Sequence, residues 1–325
     1  MVNLSESVSL ILEKEFESAE DFDVEPLGSG ASHETFSAVS EDRELVVKIC
    51  DDDWSGLPEF EKGFELDAPV LKLVREETSI PVPEVYAYDN SETEFNFKYI
   101  VMERVEGKEM YEFMEYSENQ HLIRQTGELL GELHNKIEFE DFGGLKATEN
   151  DFVEVEPQEW SSMFKQLIWK ITSHLEKIEA QETRDRIRNI VEENLHLLES
   201  RDNPVLLHQE FSPRNMVGTS EGINAVIDWE RAISGDPEYD LATAEKHIIQ
   251  ARDGNPEKRE NAEQIRKILY EGYKSKRQLD QGWEKRRNLY YLPYITLMMY
   301  ITANREENII EVELLQQLEK IEEEL

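Results

Sequence analysis

The order of elements along the 325 residues predicts an α+β chain in two lobes, a five-stranded antiparallel N-lobe and a larger, mostly helical C-lobe. Three observations predict it. Short β-like runs separated by turn signals fill the chain before Gly107; beyond Gly107 the apolar residues recur at helical steps; and two short apolar strands that end in carboxylates interrupt those helices.

Leu4, Val8, Ile11, Leu12 and Phe16 have helical spacing and predict an amphipathic first helix. Strands follow at Phe22–Leu27, Glu34–Val39 and Glu44–Cys50, the first two joined by a glycine-bearing loop and the second pair by the polar turn Ser40 to Arg43. A helix is expected from about Glu59 to Glu77, with Asp67, Val70, Leu71 and Val74 on one face, ended by Pro81-Val82-Pro83. Glu84–Tyr88 and Phe97–Glu103 complete the five strands, and the lobes join near Val105 to Lys108, dividing the chain into residues 1–105 and 106–325. In the second part Leu122 to His134, Met163 to Leu175, Ile187 to Leu198 and Ile310 to Leu325 step by three and four. Between them lies an island: Val205-Leu206-Leu207, then His208 to Asn215, then Ala225-Val226-Ile227-Asp228-Trp229-Glu230.

Composition narrows the function. With 72 Asp+Glu against 35 Lys+Arg the formal charge is −37, which opposes a nucleic-acid partner, whose phosphates need a basic surface, and equally an anionic membrane face. The acidity is spread through the chain, and a surface that repels itself in dilute buffer tolerates molar salt, so a salt-adapted, halophilic cytoplasmic protein is expected. The single cysteine, Cys50, excludes an internal disulfide and suits a reducing compartment. The opening MVNLSESVSL has no basic n-region, so no secretory signal is expected. The apolar stretch Leu289 to Ile301, broken by Pro293, spans about half a bilayer and reads as a buried helix.

Gly28 to Phe36 places two glycines, Gly28 and Gly30, between strands, where the backbone can approach an anion and present N–H groups to phosphate. Alone it reads better as an ordinary glycine hairpin: no Gly-Lys-Ser/Thr follows, and His33 stands at the third glycine position of a dinucleotide fingerprint. Lys48 lies in the apolar strand Val46 to Ile49. Either it alternates out of the sheet as a solvated lysine, or it points into a cleft and needs a carboxylate, for which Asp67 fits and Glu65, on roughly the opposite helical face, fits less well. The island carries the strongest signal. Glu210 supplies a base, and Asn215 and Asp228 supply a neutral and an anionic oxygen, a set that suits Mg²⁺ shared with a nucleotide.

These residues resemble the aminoglycoside phosphotransferase and choline kinase branch of the protein-kinase-like fold. The resemblance runs in order from Phe22 to Ala244, through Gly30 to Phe36, Val47-Lys48, Thr78 to Pro83, Tyr99 to Glu103, Leu133-His134, His208 with Asn215, Ile227 to Glu230 and Gly235 to Leu241. It implies that the loop with Gly28, Gly30, Ala31 and Ser32 covers the phosphates of ATP or GTP and that Lys48 holds the α- and β-phosphates. It further implies that Glu103 and Val105 offer backbone groups to the purine, that Asn215 and Asp228 bind Mg²⁺, and that Glu210 orients or deprotonates an attacking hydroxyl. The resemblance also implies that Asp240 and His208 brace the catalytic loop and that His134 is structural.

Two positions depart from the family pattern: Glu210 stands where the catalytic base is Asp, and Asp67 where the lysine-pairing helix carries Glu. The expected function is Mg²⁺-dependent transfer of a nucleotide γ-phosphate to the hydroxyl of a small molecule; the alternative is a catalytically weakened nucleotide-binding module of the same fold. The acceptor is expected between the catalytic loop and the later helices, where carboxylates and the aromatics Trp160, Trp169, Trp283, Tyr290 and Tyr291 would suit a cationic amino sugar or amino alcohol.

Overall fold

In the computed structural model, which describes all residues except 1–3, 17–21, 30–32, 51–62, 114–118, 149–152, 200, 202, 250–259 and 306–311, the alternation of Leu45, Val47 and Ile49 separates the two faces of the first sheet. These residues lie on β3 (Glu44–Cys50), the central strand of an antiparallel sheet that also holds β1 (Asp23–Ser29), β2 (Glu34–Val39), β4 (Val85–Asp89) and β5 (Lys98–Glu103) in the order β1-β2-β3-β5-β4. One face buries Leu45, Val47, Ile49, Phe36 and Tyr99 under Val8, Ile11 and Leu12 of the first helix, α1 (Leu4–Glu15). Ile100 and Met102 on the other face pack with Val70, Leu71 and Val74 of α2 (Phe64–Glu77). Lys48, one residue out of phase with Val47, therefore faces α2 and the cleft. The expected start of this helix near Glu59 lies outside the described residues.

The remainder is mostly helical: α3 (Gln120–Lys136), α4 (Trp160–Ser173), α5 (Gln181–Asn194), α6 (Pro237–Ile249), α7 (Ala262–Lys274), α8 (Trp283–Tyr290), α9 (Leu292–Arg305) and α10 (Val312–Glu324). α3 and α7 approach so closely that a Cβ on Gly127 would sit 2.1 Å from the Leu269 carbonyl oxygen, and one on Gly272 would sit 2.1 Å from that of Arg124. The apolar stretch from Leu289 is not one helix but the end of α8 and most of α9, with Leu289, Leu292, Ile295 and Met299 in the core. Among the described residues no helix is long and apolar enough to cross a membrane.

The larger lobe holds more strand than its periodicity predicts. β9 (Val205–Leu207) belongs to a sheet of order β8-β7-β12-β9 with β7 (Gly143–Ala147), β8 (Val153–Pro157) and β12 (Ile233–Gly235). The second island strand, β11 (Gly222–Val226), pairs instead with β10 (Met216–Thr219), which also pairs with β6 (Lys108–Glu109). The two island strands thus lie in different sheets. Most of these segments run two to five residues and carry few apolar side chains, too short for a period-2 pattern to stand out; Val153 and Val155 of β8 do alternate with glutamates.

Candidate active site

Lys48 is buried between two carboxylates. Its ammonium donates to Asp67 Oδ2 at 2.7 Å, from α2, and to Asp228 Oδ1 at 3.1 Å, from the segment after β11. Burial opposes the charge, but Asp228 and Asp67 outweigh it and hold the Lys48 pKa above the ordinary lysine range. Burial would likewise raise Asp228; Lys48, then His33, outweigh it and draw the carboxyl down to about 2. Asp67 accepts through its other oxygen from the Trp229 backbone N–H at 2.9 Å, so a single helix carboxylate fixes both the strand lysine and the backbone next to Asp228. Glu65, two residues earlier, turns away and pairs with Lys98 at 2.8 Å.

The loop after β9 is held from α6. Asp240, fully buried, accepts from the backbone N–H groups of His208 and Gln209, each at 2.8 Å. His208 shares a hydrogen bond with the Ile227 carbonyl at 3.0 Å, and the Ile227 N–H donates to the Asn215 carbonyl at 2.9 Å, which ties the loop to the strand leading into Asp228. Gln209 and Asp228 have φ of 66° and 71°, a left-handed conformation that these cross-links must maintain in non-glycine residues. Asn215 Nδ2 donates to the Glu210 carbonyl at 3.1 Å, leaving its Oδ1 as the oxygen it can offer a cation. His134, fully buried, shares a hydrogen bond with Tyr273 Oη at 3.0 Å, and burial pushes its pKa down.

Gly28 is not in the loop where the spacing placed it. It lies within β1 opposite Thr35, after a register shift from Pro26, so the strand runs on to Ser29 rather than ending at Leu27. Gly30, Ala31 and Ser32 lie outside the described residues. At the hinge, the Glu103 N–H is taken by the Glu84 carbonyl at 2.8 Å, which leaves its carbonyl as the group it could offer a base; Val105 follows two residues later, half-buried.

Three residues outside the expected catalytic, nucleotide and metal sets join the site. His33 Nδ1 lies 3.6 Å from Glu230 Oε2, and these two with Asp228 bring ligand atoms within 4.8 Å of one another. Arg231 Nη1 donates to Glu210 Oε1 at 2.6 Å. Glu230 and Arg231 directly follow the Asp228-Trp229 pair, a proximity that could have flagged them; nothing local marked His33 as reaching across the cleft.

Beside Glu210 opens a cavity of about 550 Å³. Its walls are Leu145 and Ala147 of β7, Leu167 and Ile171 of α4, and the rings of Tyr239, Tyr290 and Tyr294. Of the five aromatics expected there only Tyr290 lines it. Trp160 and Trp283 are core, Trp169 lies beneath Lys165 and Arg188, and Tyr291 faces a different cavity.

A five-stranded sheet set over a helical lobe, with a strand lysine clamped between a helix carboxylate and a carboxylate after a loop-bearing island, defines a protein-kinase-like fold. The chain belongs to the phosphotransferase enzyme family, whose profile matches residues 23–287, and as a member it is a phosphotransferase. Solved structures with the same fold include a thermostable mutant of the aminoglycoside phosphotransferase APH(4)-Ia in a ternary complex with ADP and hygromycin B, 18% identical over 98% of both chains with a TM-score of 0.66. A candidate fructosamine-3-kinase from Haemophilus somnus 129PT is 20% identical over 99% of this chain and 100% of its own, with a TM-score of 0.64. The streptomycin–ATP ternary complex of APH(2")-IIa is 18% identical over 99% of both chains, with a TM-score of 0.55. No curated protein matches the sequence.

Proposed function

We propose that the protein transfers the γ-phosphoryl group of ATP or GTP to a hydroxyl of a small molecule bound in the cavity beside Glu210, with Mg²⁺ as cofactor. The observation that carries this reading is the clamp of Lys48 between Asp67 and Asp228, with Asn215 tied by backbone to Ile227, one residue before Asp228, and by its side chain to the Glu210 carbonyl. Lys48 would hold the α- and β-phosphates, with Asp67 retaining its ammonium as Asp228 turns part of its charge to the cation. Asp228 and Asn215 Oδ1 are the hard oxygens that would hold Mg²⁺. When bound, the ion neutralises charge on the transferring phosphoryl group. Glu210 would align the acceptor hydroxyl and take its proton as the new P–O bond forms and the bond to the β-phosphate breaks. Glu103 and Val105 would hold the purine, and the turn containing Gly30, Ala31 and Ser32 would cover the phosphates, with Gly28 anchoring it to the sheet.

The cavity supports an acceptor with an apolar body. Carboxylates along it are engaged: Glu65 with Lys98, Glu210 with Arg231, Glu230 with His33. Lys146 and Arg231 also line it. Of the cationic acceptors expected from the sequence, this favours an amino alcohol over a polycationic amino sugar. The 72 acidic residues against 35 basic ones support a cytoplasmic, salt-adapted setting.

One observation favours the second reading, a nucleotide-binding module with weakened chemistry: Glu210 Oε1 is already bonded to Arg231. Thermal melting with and without Mg²⁺–ATP and Mg²⁺–GTP, beside Asp228→Asn, tests the site. At about 100 times the dissociation constant, binding adds roughly 2.7 kcal/mol. A metal-dependent rise lost in the variant, with nucleotide turnover on adding amino alcohols, is the expected result. The rise without turnover on any acceptor supports the module, and no rise with either nucleotide removes both readings.

A further inference from the structure

A second cavity, of about 280 Å³, lies between α6, α7, α8 and α10, lined by residues outside the set that forms the catalytic cleft. We propose that it is a binding site for a small multivalent oxyanion, a phosphate group or a polycarboxylate. Its charge is the first argument. Lys246, Arg266, Arg287 and Lys320 converge on it against three carboxylates, in a chain where acids outnumber bases two to one. Of those carboxylates, Glu245 is taken by Arg266 at 2.7 Å and by the Tyr270 hydroxyl, and Glu324 accepts from Asn288 at 2.9 Å. Like charges gathered in a partly desolvated place repel one another, and such an arrangement is favourable when an anion completes it.

Unsatisfied donors are the second argument. Tyr291 is 5% exposed and lines the cavity, and its hydroxyl makes no hydrogen bond of ordinary geometry, although burial and the nearby Glu245 carboxylate raise its pKa; Arg287 Nε is likewise buried without such a bond. Buried polar groups are ordinarily paired, and each left alone forfeits its hydration without return. Lys246 Nζ sits 3.9 Å from the centre of the Tyr291 ring. Burial, reinforced by Arg266, Arg287 and Lys320, pushes the Lys246 pKa down to about 8, against the pull of Glu245. The arginine and lysine groups only donate, and the phenol can donate, so their common partner is a molecule rich in acceptor oxygens. The volume holds a phosphate or a compact di- or tricarboxylate.

The experiment is thermal melting and calorimetric titration of the full chain with inorganic phosphate and, separately, citrate, at ionic strength held constant with KCl. Lys48→Met reports on anions that enter the nucleotide site instead. The proposal expects saturable binding of at least one anion to the wild type and to Lys48→Met alike, weakened about tenfold or more by Arg287→Gln and by Lys320→Gln. Lys320 is exposed, so its variant keeps the fold if Arg287→Gln does not. Tyr291→Phe should weaken binding without lowering the midpoint in anion-free buffer. Phosphate binding alone marks a phosphate site, and citrate binding alone a carboxylate site. Binding lost in Lys48→Met but kept in Lys320→Gln, no saturable binding of either anion, or effects equal to those of chloride would each overturn the proposal.

Discussion

Glu210 is one methylene longer than the aspartate of the family pattern, and Arg231 holds one oxygen of that longer arm. The ion pair orients the carboxylate toward the cavity while the loop backbone stays where Asp240 pins it. Replacing Glu210 by Gln keeps the shape and removes the base. Turnover should fall about 10²–10⁴-fold with nucleotide affinity unchanged, as steady-state rates and a nucleotide titration would show. Unchanged turnover would take Glu210 out of the mechanism. Asp228 permits a test by pH. Its folded pKa of about 2 lies below the ordinary value of 3.8, because Lys48 and His33 outweigh its burial. A depressed acid contributes stability that is full above the unfolded pKa and lost as pH falls through the folded one. The stability difference between wild type and Asp228→Asn should therefore shrink between about pH 4 and pH 2 in acid denaturation. A constant difference across that range would show that Asp228 is not held ionised by its neighbours.

At the scale of elements, the site depends on two helices used as braces. α2 delivers Asp67 to both Lys48 and the Trp229 amide, and α6 delivers Asp240 to the loop after β9. The start of α6 is itself fixed: Asp236 accepts from Arg201 at 3.0 Å and from Tyr290 at 2.7 Å, and Arg286 grips Glu238. The α3–α7 contact backs this arrangement, because α3 carries His134, whose Nε2 lies 3.5 Å from Asp240. Gly127→Ala sets two effects against each other there. Alanine gains about 1 kcal/mol of helix propensity, but its methyl would meet the Leu269 carbonyl at 2.1 Å, and overpacking costs about 1–3 kcal/mol. Because the obstacle is backbone, overpacking should win, and denaturant unfolding should show a net loss. A gain in stability would mean that the helices separate freely.

Over the whole molecule the governing quantity is the charge of −37. Screening reaches about 10 Å at 0.1 M salt and about 3 Å at 1 M, so surface repulsion fades across that interval while buried pairs such as Lys48–Asp67 persist. The midpoint of thermal unfolding should climb steadily in a KCl series. Equal midpoints in dilute buffer and molar KCl would refute salt adaptation and leave the acidity as solubility alone.

What the sequence determined by itself was the five strands of the first sheet, several of the helices and the residue types of the candidate site. The period-2 runs of β2 and β3 and the stepped apolar residues of α2 and α3 are local patterns, and they read directly because backbone geometry imposes them. The ordered residues Lys48, Asp67, Glu210, Asn215 and Asp228 were legible for the same reason: each stands at a fixed offset within its own segment. The tertiary structure decided which of them meet. Lys48 and Asp228 are 180 residues apart, and whether that lysine faced solvent or the cleft depended on which face of the sheet α2 covers. Arg231 on Glu210, His33 beside Glu230, and the division of the island between two sheets have no local period to announce them. Charge pairing and burial depend on distances in space, and those are settled only when separate segments pack together.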